Sequence, residues 1–436
     1  MSAIELGDVT TAPAVEPEPP IMSPGLLRVA LALLTVVGLA VVGASARPEP
    51  SRQLHSIWSI DVTDLSQYSI SGDTVFVLNS GWDLTAYALA DGRVRWSRRL
   101  EHQTAATADD VASLLLPSAY ARITRAEVDG LGRTDNATAA TLALDPATGN
   151  ERWRSPGGVG YRDAATALLI EADPGGGRPR TFRQVRIADG AVQWTRPAGR
   201  PDYWIAGAGH LVTVGADGRT EVVGLTDGGG VSGGRLPLSR DEITAGTADT
   251  VQIDATALYL KRNEGGRLTV SAVDLATLRP RWTVDGGPAA REARLCGAVL
   301  CVDDGTATSG YDLGTGQLRW RAEGWINAAA VTGGRLLALN VRSAGEGLLD
   351  AASGAVLADL GFGYPVWDTT AGTPTFLLRD TVTPPGRTAV YRVDSRGGGR
   401  SLRGSIDSIP GRTCVAVRDR LVCQTTNGRL TVVAVA

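Results

Sequence analysis

Past residue 52 the chain is written in short runs where apolar and polar side chains alternate. D-T-V-F-V-L-N at 73–79 and L-T-A-Y-A-L at 84–89 are two such runs, separated by polar residues. Successive side chains of an extended strand point to opposite faces, so a period of two marks a strand with one buried face. No stretch beyond residue 52 sustains the 3.6-residue period of an amphipathic helix. The pattern predicts an all-β fold.

The alternation itself recurs about every 40 residues. The clearest copies are A-L-D-P-A-T-G-N-E-R-W at 143–153 and Y-D-L-G-T-G-Q-L-R-W at 311–320. Others are A-V-D-L-A-T-L-R-P-R-W at 272–282, D-G-R-V-R-W at 91–96 and D-G-A-V-Q-W at 189–194, with degenerate copies at 350–354 and around Asp394. The D-G and T-G pairs are turn chemistry, because glycine takes a positive φ at no steric cost. Each unit then reads as strand, turn, strand, Asp/Gly turn and a Trp-bearing strand. Four-stranded units at a fixed period, which bury their faces on one another, predict a β-propeller. Trp58, Trp96, Trp153, Trp194, Trp282 and Trp320 are expected as blade-docking wedges, each with an N–H that needs a partner. Trp58 has no unit before it, and residues 412–436 supply three strands without a fourth. Pairing the two would close the ring and remove both open edges.

Residues 26–46 form one apolar run of 21 with a single charge, Arg28. At ~1.5 Å per residue this run spans a hydrocarbon core of ~30 Å. It is expected to be an uncleaved, single-pass transmembrane anchor helix, because an acidic tail rather than a basic one leads into it. Ala44-Ser45-Ala46 resembles a signal-peptidase site, and cleavage after Ala46 would instead release the protein. The expected organisation is an acidic disordered cytoplasmic tail at 1–25, the anchor at 26–46, a linker at 47–56 and the propeller at 57–436.

The four cysteines fall as Cys296-x4-Cys301 and Cys414-x8-Cys423. Two-residue turns at Ala298-Val299 and Arg418-Asp419 would set each pair directly across a hairpin, where side chains come closest. Four cysteines could also hold zinc, but these spacings match no usual zinc pattern. Two disulfides are expected, which place the propeller on the extracytoplasmic side of a cell membrane, with the N-terminus inside.

Composition narrows the chemistry. Three scattered histidines, His55, His102 and His210, cannot build a multi-histidine metal centre, and no G-x-S-x-G elbow accompanies them. The glycine runs at 175–177 and 228–230 lack the context of a phosphate loop. The formal net charge is −3, but Glu5, Asp8, Glu16 and Glu18 stand in a tail without bases, so the rest is near neutral. No nucleic-acid partner is expected from that balance. One lysine, Lys261, against 42 arginines points to a GC-rich bacterial genome.

The 143–153 copy resembles the A-x-D-x-x-T-G-x-x-x-W docking motif of pyrroloquinoline-quinone (PQQ) dehydrogenase propellers. The BamB-type, non-enzymatic propellers of bacterial envelopes share that motif. The resemblance spans roughly 57–436 and is strong only in the copies ending at Trp153, Trp282 and Trp320. It implies a PQQ-like, eight-bladed extracytoplasmic propeller. Candidate strand sets begin near residues 68, 106, 161, 203, 248, 291, 325, 366 and 411, which is nine, so eight blades are favoured with nine open. The dehydrogenases hold PQQ on a disulfide between adjacent cysteines and bind Ca²⁺ with acidic groups. Here no cysteines are adjacent, and Asp303-Asp304 reads more simply as a turn after a strand. No catalytic residue, cofactor or metal is therefore expected.

Tyr203, Trp204, Trp325, Tyr364 and Trp367 fall at or just before the first strand of a unit. They would either cap the core between blades or rim one face as an anchor surface for a partner. The resulting expectation is a membrane-anchored, non-catalytic extracytoplasmic scaffold with a protein partner. A PQQ-dependent oxidoreductase and an extracytoplasmic sensor or glycan-binding module are the alternatives.

Overall fold

The Asp/Gly turns set the repeat. At Asp145 the carboxylate accepts from the amides of Ala147 (2.9 Å) and Thr148 (3.0 Å). Gly149, at φ +72°, returns its N–H to the Asp145 carbonyl at 2.8 Å. Asp312 and Asp350 build the same turn on Thr315 and Ser353. Short polar side chains that bond the backbone two or three residues on stabilise such turns. At three such turns an arginine seven residues after the Asp seats on its free oxygen: Arg152 on Asp145 (2.5 Å), Arg281 on Asp274 (2.6 Å) and Arg319 on Asp312.

These turns make stability depend on acid. Arg281, with the Thr277 hydroxyl and amide, holds the Asp274 carboxyl down at about 2, against an ordinary 3.8. Arg152 at Asp145, and the Thr315 amide and hydroxyl at Asp312, lower those carboxyls too. The unfolded chain therefore binds these protons first as pH falls. The turn contribution is whole above the unfolded value and is lost as pH falls through the folded one. Melting temperature is expected to stay level down to about pH 5 and to fall between about pH 4 and 2. Thermal scans across that range check it, with Asp274→Asn flattening part of the decline.

In a computed structural model, residues 53–435 are described, apart from 63–64, 81–82, 101–112, 116–119, 122–139, 173–177, 200, 237–251, 369–373, 383–384, 395–398 and 410–412. The expected tail and anchor at 1–46, His102 and the glycines at 175–177 lie outside the described residues. Among the described residues no helix is long and apolar enough to cross a membrane.

The described strands form nine four-stranded sheets. Sheet 1 runs Leu65–Ser71, Thr74–Asn79, Asp83–Ala88 and Val94–Arg99 in simple antiparallel order. Sheets 2 to 8 follow at 113–156, 158–197, 203–235, 252–287, 292–323, 325–362 and 364–407. Sheet 2 is the irregular one: its strands Ser113–Leu115 and Ala140–Leu144 pair in parallel. Sheet 9 takes Cys414–Val417, Arg420–Gln424 and Arg429–Ala434 from the end of the chain and Ser56–Asp61 from its beginning. The terminal strand pairs Ser59 with Thr431 and Ile60 with Leu430, as the missing fourth strand demands.

Apolar clusters join each sheet to the next. Phe76, Leu84 and Trp96 of sheet 1 meet Leu142 and Leu144 of sheet 2. The series continues through every junction to sheets 8 and 9, where Phe376 and Val390 meet Ala416 and Leu421. The last cluster packs Val417, Val422 and Val432 of sheet 9 on Val75 and Val77 of sheet 1, which closes the circle. Tyr68 of sheet 1 adds a hydrogen bond to the Thr413 carbonyl at 2.5 Å.

The six indoles lie across these junctions. Trp153 donates its Nε1–H to the Ile187 carbonyl at 2.8 Å, Trp194 to Leu225 at 2.8 Å and Trp320 to Ala351 at 3.0 Å. Trp58, Trp96 and Trp282 donate likewise to Leu89, Pro146 and Leu313. Each acceptor lies in the Asp/Gly turn of the following sheet, and the turn glycine lies flat against the ring. A Cβ on Gly190 would stand 2.6 Å from Trp153, and one on Gly228 2.8 Å from Trp194. The motif's Gly and Trp are thus partners from neighbouring sheets, not from one.

The junction between sheets 4 and 5 supports that pairing by exception. The outer strand of sheet 4, Gly230–Arg235, has no Trp, and the following turn carries Leu278 in place of Gly. Leu278 takes φ +55° and its buried side chain packs where an indole would lie, beside Gly234. Ser232 supplies the missing donor, with its Oγ–H on the Leu275 carbonyl at 2.5 Å.

Both cysteine pairs are bridged. Cys414 lies directly opposite Cys423, with Cα atoms 4.2 Å apart and the turn at Arg418-Asp419 as expected. The first hairpin differs by one residue. Its turn is Gly297-Ala298, so Cys296 opposes Val299 and Cys301 opposes Arg294. Gly297 takes φ +70°, and a two-residue hairpin with glycine first fixes that register. The Cys296–Cys301 bridge is therefore diagonal, with Cα atoms 5.8 Å apart. Loops this short constrain the unfolded chain by about 2–3 kcal/mol per bridge. Cys414→Ala with Cys423→Ala is expected to lower stability by about that amount in a denaturant titration.

Candidate functional site

The aromatic residues singled out from sequence are placed at sheet junctions. Trp325 is only 7% exposed, inside the cluster joining sheets 6 and 7, and its ring covers Gly347. It presents no free face to a partner, which corrects its place in the expected anchor surface. Trp204 is half-buried, edge-on to Phe182 of the preceding sheet and above Gly160. Trp367 packs between sheets 7 and 8, Tyr203 between 4 and 5, and Tyr364 on the cluster between 8 and 9. A first strand sits at a junction before it reaches any surface, so large rings there fill the wedge between two sheets.

The acidic candidates are occupied by the backbone. Asp304 accepts from the amides of Thr306 and Ala307 and from Arg321, which hold its carboxyl below the ordinary value although burial opposes them. Asp303 accepts from the amides of Gly305 and Asn327, so it ties sheet 6 to sheet 7. Asp368 does the same across sheets 8 and 9, accepting from the Arg418 amide at 2.7 Å where Arg418 takes φ +56°. His210 begins a strand, with Nδ1 3.1 Å from the Ala208 carbonyl, and His55 lines a cavity of about 370 Å³ beside the closing strand. Among the described residues, no group of three or more His, Cys, Asp or Glu side chains converges as metal ligands would.

The surface that sequence reading missed is the outer strand of sheet 7, Val356–Phe362. Val356, Leu357 and Phe362 are 50%, 44% and 46% exposed. The strand ends the order of its sheet, so one edge of its backbone has no neighbouring strand. Most other outer strands carry arginine, as in V-R-W-S-R-R of sheet 1, E-R-W-R-S-P of sheet 2 and L-R-W-R-A-E of sheet 6, although S-I-W-S-I-D of sheet 9 also lacks a base. Charge on an edge opposes pairing with another chain, whereas V-L-A-D-L-G-F holds no base and no indole, and carries a single charge, Asp359. Phe362 stands edge-on to Tyr364, with centroids 6.2 Å apart, so the apolar edge continues into the start of sheet 8. A signal was present: this copy of the repeat lacks both the Trp and the flanking arginines.

Nine four-stranded sheets, packed in a cycle and closed by a strand from the other end of the chain, decide the architecture. The chain is a β-propeller repeat protein. No protein-family model and no curated protein matches this propeller. Among solved structures it is similar to BamB from Moraxella catarrhalis, over 87% of this chain and 99% of that one, at 13% identity and a TM-score of 0.37. The C-terminal WD40 domain of Sif2 is similar over 88% and 99%, at 10% identity and a TM-score of 0.45. The computationally designed Ika8 protein is similar over 88% and 99%, at 11% identity and a TM-score of 0.44. The assignment rests on the sheets and their closure.

Proposed function

We propose that this propeller is a non-catalytic interaction scaffold that receives an extended segment of a protein partner along the outer strand of sheet 7. The exposed, base-free edge of Val356–Phe362 carries this reading. An added strand would gain main-chain hydrogen bonds from the free edge, and Val356, Leu357 and Phe362 would select the partner's side chains. The nine sheets serve as nine blades, with the six indoles docking each blade on the next. Among the described outer strands, this one combines three exposed large apolar side chains with the lack of any base.

The run at 26–46 anchors the ring to a membrane, and the two disulfides favour an oxidising compartment for it. A photo-crosslinking residue at Leu357 in the full chain, irradiated in its native membrane, tests the edge. The reading expects a discrete adduct at Leu357, none at the exposed outer-strand position Val94, and loss of the adduct when Phe362→Arg is added. Equal adducts at both positions, or none, would refute it.

A further inference from the structure

The outer strand of one sheet ends near the start of the next, and the first residue of each strand sets the charge at that crossing. In sheet 2 this residue is Glu151, opposite Leu144, and it takes Arg98 of the sheet 1 outer strand at 3.4 Å. The same register in sheet 8 sets Arg400 opposite Val393. Sheets 1, 3, 6 and 7 hold Val94, Val192, Leu318 and Val356 at that place. Sheet 8 therefore carries a base where sheet 2 carries an acid and these four carry an apolar side chain.

Arg400 meets the sheet 7 edge itself. A Cβ built on Gly361 would stand 3.0 Å from its Nη1, so the guanidinium lies against the backbone of Val356–Phe362 near its end. The Tyr391 ring holds it there, with the guanidinium carbon 4.8 Å from the ring centroid. Sheet 7 supplies no answering charge. Asp359, the one carboxylate on the strand, accepts from the Gly361 amide at 2.8 Å and does not pair with Arg400. Arg400 is exposed, and its Tyr391 contact is joined by no hydrogen bond or salt bridge among the described residues.

We infer that the protein segment received along Val356–Phe362 is acidic, with an Asp or Glu whose carboxylate pairs with Arg400 beside Gly361 and apolar side chains toward Val356 and Leu357. This rests on the sheet 7 reading and names the chemistry of its partner. A guanidinium fork takes both oxygens of a carboxylate at once. Its contact with Tyr391 fixes it beforehand, which lowers the cost of ordering it on binding. An added strand would also exclude water from the pair and strengthen it. A basic segment would meet Arg400 as a like charge. A strand rises ~3.3 Å per residue, so the acid is expected about five residues along from the side chain that seats on Val356.

Photo-crosslinking from position 357 of the full chain in its native membrane tests it, with Arg400 varied and the adducted peptide sequenced by mass spectrometry. Arg400→Glu is expected to lower the adduct yield about five-fold or more, Arg400→Gln less and Arg400→Lys least, with the melting temperature unchanged in all three. In the unsubstituted chain the yield should fall as salt is raised, a readout that no variant's folding can disturb. The adducted peptide should hold an Asp or Glu within about six residues of the linkage. Changing that acid to Arg should restore the yield in the Arg400→Glu chain and lower it in the unsubstituted one. A yield unchanged by salt or in folded Arg400→Glu, a peptide without an acid, or a reversal that restores nothing would overturn the inference and leave the sheet 7 reading standing. No adduct in the unsubstituted chain would overturn both.

Discussion

A chain lacking Ser56–Asp61 is expected to melt roughly 6 °C below the intact protein, if it accumulates folded at all. Five residue pairs tie this strand to Arg429–Ala434, from Ser56 with Val433 to Asp61 with Arg429. Trp58 adds a stack on Tyr87, a hydrogen bond to the Leu89 carbonyl at 3.1 Å and a close fit over Gly92. Arg429 reaches back to the Ser59 hydroxyl at 2.8 Å. Together the lost ladder and the exposed indole face amount to on the order of 5 kcal/mol. Deletion also uncovers the edge of Arg429–Ala434, so the shortened chain should aggregate on heating. Trp58→Ala keeps the ladder and should produce a smaller drop. A melt unchanged by the deletion would show that the strand is an appendage.

The second large effect lies at the junction of sheets 3 and 4. Trp194 is nearly buried, and Trp194→Ala should cost about 3–5 kcal/mol through lost packing and the cavity left behind. Gly228→Ala should be comparably severe, because its Cβ would stand 2.8 Å from the indole and its φ is +68°. The two costs should not add. Once the indole is gone the clash disappears, and Gly228→Ala should then cost only the left-handed backbone penalty of about 1–2 kcal/mol. A double-mutant cycle in denaturant measures this coupling directly. Full additivity would mean that the Trp and the Gly are not partners across the junction. Sheet 5 already holds the natural analogue, where Leu278 stands at the glycine position after an outer strand without Trp.

Much of this architecture was legible because turn chemistry and packing share the same residues. The recurring Asp, Gly and Trp mark turn, contact and wedge at once, so one motif located each unit and the closing strand. What the motif could not supply was the partner of each residue. Gly149 and Trp153 sit in one copy, yet Gly149 lies under Trp96 and Trp153 covers Gly190. The Cys296 hairpin was misread by one position because glycine, not alanine, opens its turn. Whether Trp325 caps the core or rims a face was left open, because strand order along the chain does not say which rings fill a junction. Val356, Leu357 and Phe362 went unnoticed as they sit in a degenerate copy, where the informative feature is what the strand lacks.

The central claim is that one closed ring joins the two ends of the folded region. Ser59 and Thr431 face each other across the closing pair, with their hydroxyl oxygens 3.1 Å apart, although 372 residues separate them in sequence. Ser59→Cys with Thr431→Cys, purified without reductant and mapped by peptide mass spectrometry, tests the closure directly. A closed ring predicts near-complete intramolecular linkage of positions 59 and 431, with the two native disulfides intact. Free thiols at both positions, or linkage only between separate chains, would contradict it.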